Sequence, residues 1–175
     1  MRRIRTGLVL LSAAGMLGAA ALAETKVEVT NVHLCCPGCV KAVGSALAGV
    51  EGVTGVCDQK AKTVTLTAPD DATAQKAVEA LADAGFHGQV ETKAVHFPRD
   101  SGATQGKVSS LTLTGIHNCC GACNKAVKAA IKKVPGVTGD TAKPKGDTFE
   151  VTGDYEVTEL IRALHAAGFH VKVKK

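Results

Sequence analysis

Aromatic residues are nearly missing from this sequence. They make up 3% of its 175 residues, with four Phe, one Tyr and no Trp. The stacking platforms that hold single-stranded nucleic acid are therefore absent. A basic surface for duplex DNA is missing too. The formal charge is +5, but Arg2, Arg3 and Arg5 lie in a leader, and without them 18 basic residues face 16 acidic ones, a net +2. No Ser/His/Asp order, paired carboxylates or phosphate-binding loop is present. No apolar run is long enough to cross a bilayer, which takes about 20 residues. The longest, Leu8–Leu22, follows the basic segment Met1–Arg5 and precedes Ala21-Leu22-Ala23, a small-x-small cleavage pattern. Residues 1–23 thus read as a signal peptide, with a retained anchor helix as the competing reading. The mature chain is expected to start near Glu24, without stable membrane insertion, in the periplasm or outside the cell. Its cysteines would then meet an oxidising compartment.

Cysteine is what the sequence has, and it is concentrated. Six of the seven lie in two stretches, His33-Leu34-Cys35-Cys36-Pro37-Gly38-Cys39 and His117-Asn118-Cys119-Cys120-Gly121-Ala122-Cys123. Each follows an alternating, strand-like segment, with Val27 and Val29 in the first case and Leu111 and Leu113 in the second. Each leads into an amphipathic helix, marked by Val40, Val43, Leu47 and Val50 and then by Val127, Ile131 and Val134. Two strands follow, with Val64 and Leu66 matching Phe149 and Val151. A second helix carries Ala74, Ala77, Val78 and Leu81, matching Val157, Leu160, Ile161 and Leu164. Ala84-Gly85-Phe86-His87 recurs as Ala167-Gly168-Phe169-His170. The Cys loops are 84 positions apart, and small length changes fall in turns while core positions keep register. That is the signature of a duplicated domain. The expected order is βαββαβ twice, over residues 24–94 and 107–175, with 95–106 as linker. Such an α+β unit packs two helices on one face of a four-stranded antiparallel sheet.

Thiolates are soft donors that suit Cu(I), Zn(II) and Hg(II). The C-x-x-C spacing can turn two sulfurs toward one centre, Cys36 with Cys39 and Cys120 with Cys123. The helix N-terminus beside them favours the thiolate form. Here the chain resembles the heavy-metal-associated domain family, twice over. The resemblance rests on Cys-x-x-Cys followed by Val43 and Leu47, or Val127 and Ile131, and on the Gly-Phe after each second helix. It covers nearly all of the mature chain except the linker. The family includes copper chaperones, N-terminal domains of metal-pumping P-type ATPases and a periplasmic mercury-binding protein. The resemblance implies a ferredoxin-like fold, a soft metal ion on Cys36 and Cys39 and on Cys120 and Cys123, and Phe86 and Phe169 near the metal. It also implies a membrane metal transporter as partner and no enzymatic activity.

The family's Met-x-Cys-x-x-Cys is replaced here by an expanded loop. Val32 or Ile116 stands for the buried Met. His33 and Cys35, and His117 and Cys119, are additional candidate donors. Three sulfurs and an imidazole within one loop would suit tetrahedral Zn(II). Three thiolates would suit Cu(I) or a Cu(I) cluster, with Cys35 and Cys119 bridging a second ion or standing outside the shell. Copper is the first expectation, for capture and carriage or buffering. A thiol–disulfide oxidoreductase using the same C-x-x-C pairs is the enzymatic alternative, since Cys36-Pro37-Gly38-Cys39 also resembles a redox motif. A structural disulfide is the plain reading of either pair. His87, His96, His165 and His170 read as surface residues, and Cys57 as a free thiol on an edge strand.

Overall fold

The computed structural model describes residues 24–175, so the expected leader lies outside the described residues. Two four-stranded antiparallel sheets are present. The first holds β1 (Thr25–Thr30), β2 (Thr54–Asp58), β3 (Thr63–Ala68) and β4 (Gln89–Val90) in the order β2-β3-β1-β4. The second holds β5 (Lys107–Thr114), β6 (Val137–Asp140), β7 (Phe149–Glu156) and β8 (Lys172–Val173) in the order β6-β7-β5-β8. Helices α1 (Pro37–Leu47) and α2 (Asp71–Asp83) cover the first sheet, and α3 (Gly121–Ile131) and α4 (Val157–Ala166) the second. This is the ferredoxin-like βαββαβ fold, twice.

Period-two and period-3.6 patterns set these layers. Val27 and Val29 of β1 face Leu66 and Val64 of β3 across the ladder, and all four are buried. Cys39, Val43 and Leu47 form the buried stripe of α1, and Ala74, Ala77, Val78 and Leu81 that of α2. Asp70 caps α2 by accepting a hydrogen bond from the Thr73 N–H at 2.7 Å.

Two sequence expectations are corrected. The helix after each Cys loop starts two residues before the later Cys, because Cys36 and Cys120 are extended N-cap residues. Pro37 takes the first helical position of α1, where its fixed φ and missing N–H cost nothing. The last strand of the first βαββαβ unit is only Gln89–Val90, because the residues before it pair with the other unit. Phe86 bridges Phe169, the His87 N–H donates to the Gly168 carbonyl at 3.0 Å, and the His170 N–H donates to the Gly85 carbonyl at 3.0 Å. Finally, of the histidines expected at the surface, His170 is buried and His87 and His165 are half-buried. They stack against one another between the units, and His170 is 1% exposed.

The segment 95–106 is a fastened strap. Gln75 of α2 bonds both backbone groups of His96 (2.9 and 3.0 Å), and Val95 is buried. Further on, Asp100 accepts from His170 Nε2 at 2.9 Å and from Lys172 Nζ at 2.7 Å, and the Ser101 carbonyl accepts from the Val173 N–H.

The histidine interface predicts an acid response. Burial, helped by the neighbouring imidazoles, holds His87 down at about 3 and His165 at about 4. Unfolded imidazoles titrate near 6.5. Below that pH the unfolded chain binds protons that the folded interface refuses, so stability falls as pH drops from 6.5 toward 4. Each such histidine costs up to about 1.4 kcal/mol per pH unit. Melting followed by circular dichroism is expected to lose several degrees between pH 6.5 and 5.5, with most of that slope abolished in His87→Gln/His165→Gln.

Candidate metal centre

Each Cys loop is held at the end of a first strand and the start of a first helix. In the first unit Val32 and Leu34 are buried beneath the loop. In the second, Ile116 is buried, and Asn118 replaces Leu34 with a polar anchor. Its Nδ2 donates to the Lys143 carbonyl at 2.9 Å and to Asn124 Oδ1 at 3.0 Å. Val32 and Ile116 are both buried, at 0% and 3% exposure.

The two loops meet. All six cysteines of the repeated stretches form one continuous sulfur network, with neighbouring Sγ atoms 3.3–3.8 Å apart. The network has approximate twofold symmetry. Cys39 and Cys123 touch at its centre, at 3.8 Å and with 0% exposure. Cys35 reaches across to Cys120 (3.7 Å) and Cys123 (3.3 Å), and Cys119 reaches back to Cys36 (3.7 Å) and Cys39 (3.8 Å). Both sulfurs of each vicinal pair thus touch their own unit's helix cysteine and at least one cysteine of the partner unit. The close Sγ neighbours make four triangles that share edges. They are Cys35/Cys120/Cys123, Cys35/Cys39/Cys123, Cys39/Cys119/Cys123 and Cys36/Cys39/Cys119.

The histidines complete the arrangement. His117 lies with Cys39, Cys119 and Cys123, and His33 with Cys35 and Cys123, one donor atom from each residue within 4.8 Å of the others. The Nε2 atoms of both histidines are buried and unpartnered. A Cys3His set therefore exists, but it is assembled across the units and not within one loop. Each ring is positioned by the opposite unit's aromatic: Phe86 stacks on His117 at 4.3 Å and Phe169 on His33 at 4.4 Å. A Cβ on the exposed Gly38 would meet Cys36 Sγ at 3.4 Å and Cys119 Sγ at 3.6 Å, ordinary contact distances. Cys57 takes no part and sits, half-buried, on edge strand β2.

Charge in the network is uneven. Cys120 is pulled down to about 6, chiefly by the N–H groups opening α3. Cys35 and Cys119, though at the exposed and half-buried rim, are pushed up to about 12, chiefly because the packed sulfurs displace water from one side of each Sγ. The central pair is coupled: the Cys39–Cys123 sulfur hydrogen bond holds the Cys39 thiol well below its usual range and pushes Cys123 up in turn. Six thiolates at these spacings repel one another, so bound cations would complete the set. The spacing suits them. A metal–sulfur distance of about 2.3 Å puts two sulfurs of a tetrahedral ion roughly 3.8 Å apart.

Fold and centre together define a metal-binding class. The model of the heavy-metal-associated domain matches residues 114–170. Oxidized MerP from Ralstonia metallidurans CH34 is 33% identical over 38% of this chain and 96% of its own, with a TM-score of 0.35. The N-terminal domain of PacS from Synechocystis PCC6803 is 29% identical over 39% of this chain and 100% of its own, with a TM-score of 0.35. The N-terminal soluble domains of Bacillus subtilis CopA are 17% identical over 87% of this chain and 95% of their own, with a TM-score of 0.32. No curated protein matches the chain. The chain belongs to the heavy-metal-associated domain family, whose members bind heavy-metal ions. The family match falls on the second unit, and the first repeats its topology and its Cys loop.

Proposed function

We propose that the mature chain is an exported carrier or buffer of a soft metal ion, Cu(I) first, bound in a single centre shared by the two units. The observation that carries this is the six-sulfur network drawn equally from both Cys loops. Cys36, Cys39, Cys120 and Cys123 act as ligands, and Cys35 and Cys119 join them as cross-unit bridges. His33 and His117 supply the remaining donors. Each sulfur triangle offers a three-coordinate position, the geometry in which thiolates hold Cu(I), and bridging sulfurs let several ions share one centre. Zn(II) would instead take the Cys39/His117/Cys119/Cys123 set, and Hg(II) is a further candidate.

Release requires an accessible edge. Cys35 is exposed and Cys36, Cys119 and Cys120 are half-buried, so an incoming thiolate from a membrane metal transporter meets the rim while Cys39 and Cys123 stay covered. Transfer then proceeds by exchange of one metal–sulfur bond at a time. Among the described residues no helix is long and apolar enough to cross a membrane.

The test is an anaerobic titration of the reduced protein with Cu(I) against a competing chelator, with free thiols counted. More than two Cu(I) per chain, taken up cooperatively, is the expected result. One ion per unit without cooperativity would show two separate sites. Absence of binding, together with rapid thiol–disulfide cycling, would replace the carrier with a redox protein.

A further inference from the structure

A second cluster of donors lies between the units and contains no sulfur. We propose that His87, His165 and His170, oriented by Asp100, form a separate site for a divalent transition ion of the Zn(II) type that clamps the two units together. One ring nitrogen from each histidine lies within 4.8 Å of the other two. His87 Nδ1 and His170 Nδ1 are 3.3 Å apart. Two nitrogens sharing a tetrahedral ion at about 2.0–2.1 Å stand roughly 3.3 Å apart, so this edge already has the span of a bound ion.

Hydrogen bonding prepares His170 for the role. Asp100 Oδ1 lies 2.9 Å from His170 Nε2, so that nitrogen carries the proton and Nδ1 is left with its lone pair facing His87. A carboxylate behind a metal-bound histidine fixes tautomer and ring orientation in this way. His165 brings a second indication. Its Nε2 is buried without a hydrogen-bond partner, a state that costs free energy unless something occupies the space beside it. His165 stacks on His87 at 3.8 Å and 14°, so a rotation of its ring is needed to close on the ion, while the proton on His87 moves to Nε2. Burial keeps all three imidazoles in the neutral form that ligates.

The site draws on three places: ligands His87 from the first unit and His165 and His170 from the second, and the orienting Asp100 from the strap. An ion here can bind only when the units are docked, so its binding energy stabilises that docking. An all-imidazole set prefers Zn(II), Cu(II), Ni(II) or Co(II) to Cu(I), which the thiolates draw away. The two centres would then take different ions.

Equilibrium dialysis of Cu(I)-saturated protein against Zn(II) tests this directly. One additional Zn(II) per chain is expected, with a higher melting temperature. His87→Gln and His165→Gln should each weaken uptake more than 100-fold. Asp100→Asn should weaken it 10- to 100-fold while leaving the stoichiometry at one. Cu(I) capacity should be unchanged in all three. No uptake by the parent protein, or uptake unaltered in the histidine variants, overturns the site. Co(II) substitution in the unaltered protein decides the matter without any variant. Ligand-field bands with no thiolate-to-cobalt charge transfer support the imidazole site, and a charge-transfer band from the first equivalent after Cu(I) saturation refutes it.

Discussion

Cys39→Ser/Cys123→Ser is expected to weaken metal binding at least 100-fold, whereas Cys36→Ser/Cys120→Ser should keep about half the capacity. The difference follows from the sulfur network. Cys39 and Cys123 each belong to three of the four triangles, and every triangle contains at least one of them. Without both, only the pairs Cys35/Cys120 and Cys36/Cys119 remain in contact, and Cys35, Cys36 and Cys120 form a looser set within 4.8 Å. Without Cys36 and Cys120, two complete triangles survive, Cys35/Cys39/Cys123 and Cys39/Cys119/Cys123. Two independent C-x-x-C sites would behave otherwise, since the loss of either partner would then be equally damaging. The measurement is Cu(I) stoichiometry and affinity under a competing chelator. Affinity should fall at least 100-fold in the central variant, equivalent to about 2.7 kcal/mol. Equal losses in the two double variants would sink the shared centre. The buried serines cost some stability of their own, on the order of 1–3 kcal/mol each, so circular dichroism must show both proteins folded.

The second large effect is on the docking of the units. Gly85 and Gly168 end α2 and α4 with φ of 82° and 87°, and each then touches the backbone of the other unit. A Cβ on Gly168 would lie 2.5 Å from the His33 nitrogen and 2.7 Å from the Asn31 carbonyl oxygen. A Cβ on Gly85 would collide with the His117 nitrogen and the Gly115 carbonyl oxygen. No rotamer change relieves a clash between backbone atoms. Gly85→Ala/Gly168→Ala should therefore part the units, raise the radius of gyration in small-angle scattering and remove cooperative metal uptake. Each C-x-x-C would remain with its own unit. Gly52→Ala is the control. Gly52 also has positive φ, 77°, but its Cβ would meet only the Pro69 side chain at 3.4 Å. That change should cost the conformational strain alone, roughly 1–2 kcal/mol, and leave the scattering profile unaltered. A double variant with the parent's radius of gyration and metal capacity would show that the interface does not depend on these glycines.

The resulting centre has a division of labour. Its inner sulfurs are covered and its outer ones are reachable. The aromatic that follows each second helix steers the imidazole of the opposite Cys loop, so neither loop is complete alone. A local change in one unit, such as loss of Phe86, would be felt at His117 of the other.

Much of this was legible in the sequence because its causes are local. Period-two alternation at Val27 and Val29, helical spacing at Ala74, Ala77, Val78 and Leu81, and turn residues between them specify layers through burial alone. A repeat that keeps core register while its turns change length specifies a duplicated fold. The Cys-x-x-Cys loop at a helix start carries its own chemistry, since the soft donors and the helix N-terminus lie within a few residues of each other. What the sequence could not decide was where the two loops point. That depends on docking through Phe86, Phe169 and the two glycines, an arrangement between residues of different units, 30 or more positions apart. Docking brought the vicinal cysteines of both loops into one network, built the Cys3His set across the units, buried His170 and half-buried His87 and His165. A histidine after a helix-ending Gly-Phe looks exposed in an isolated unit. It becomes buried only when a second unit supplies the other wall.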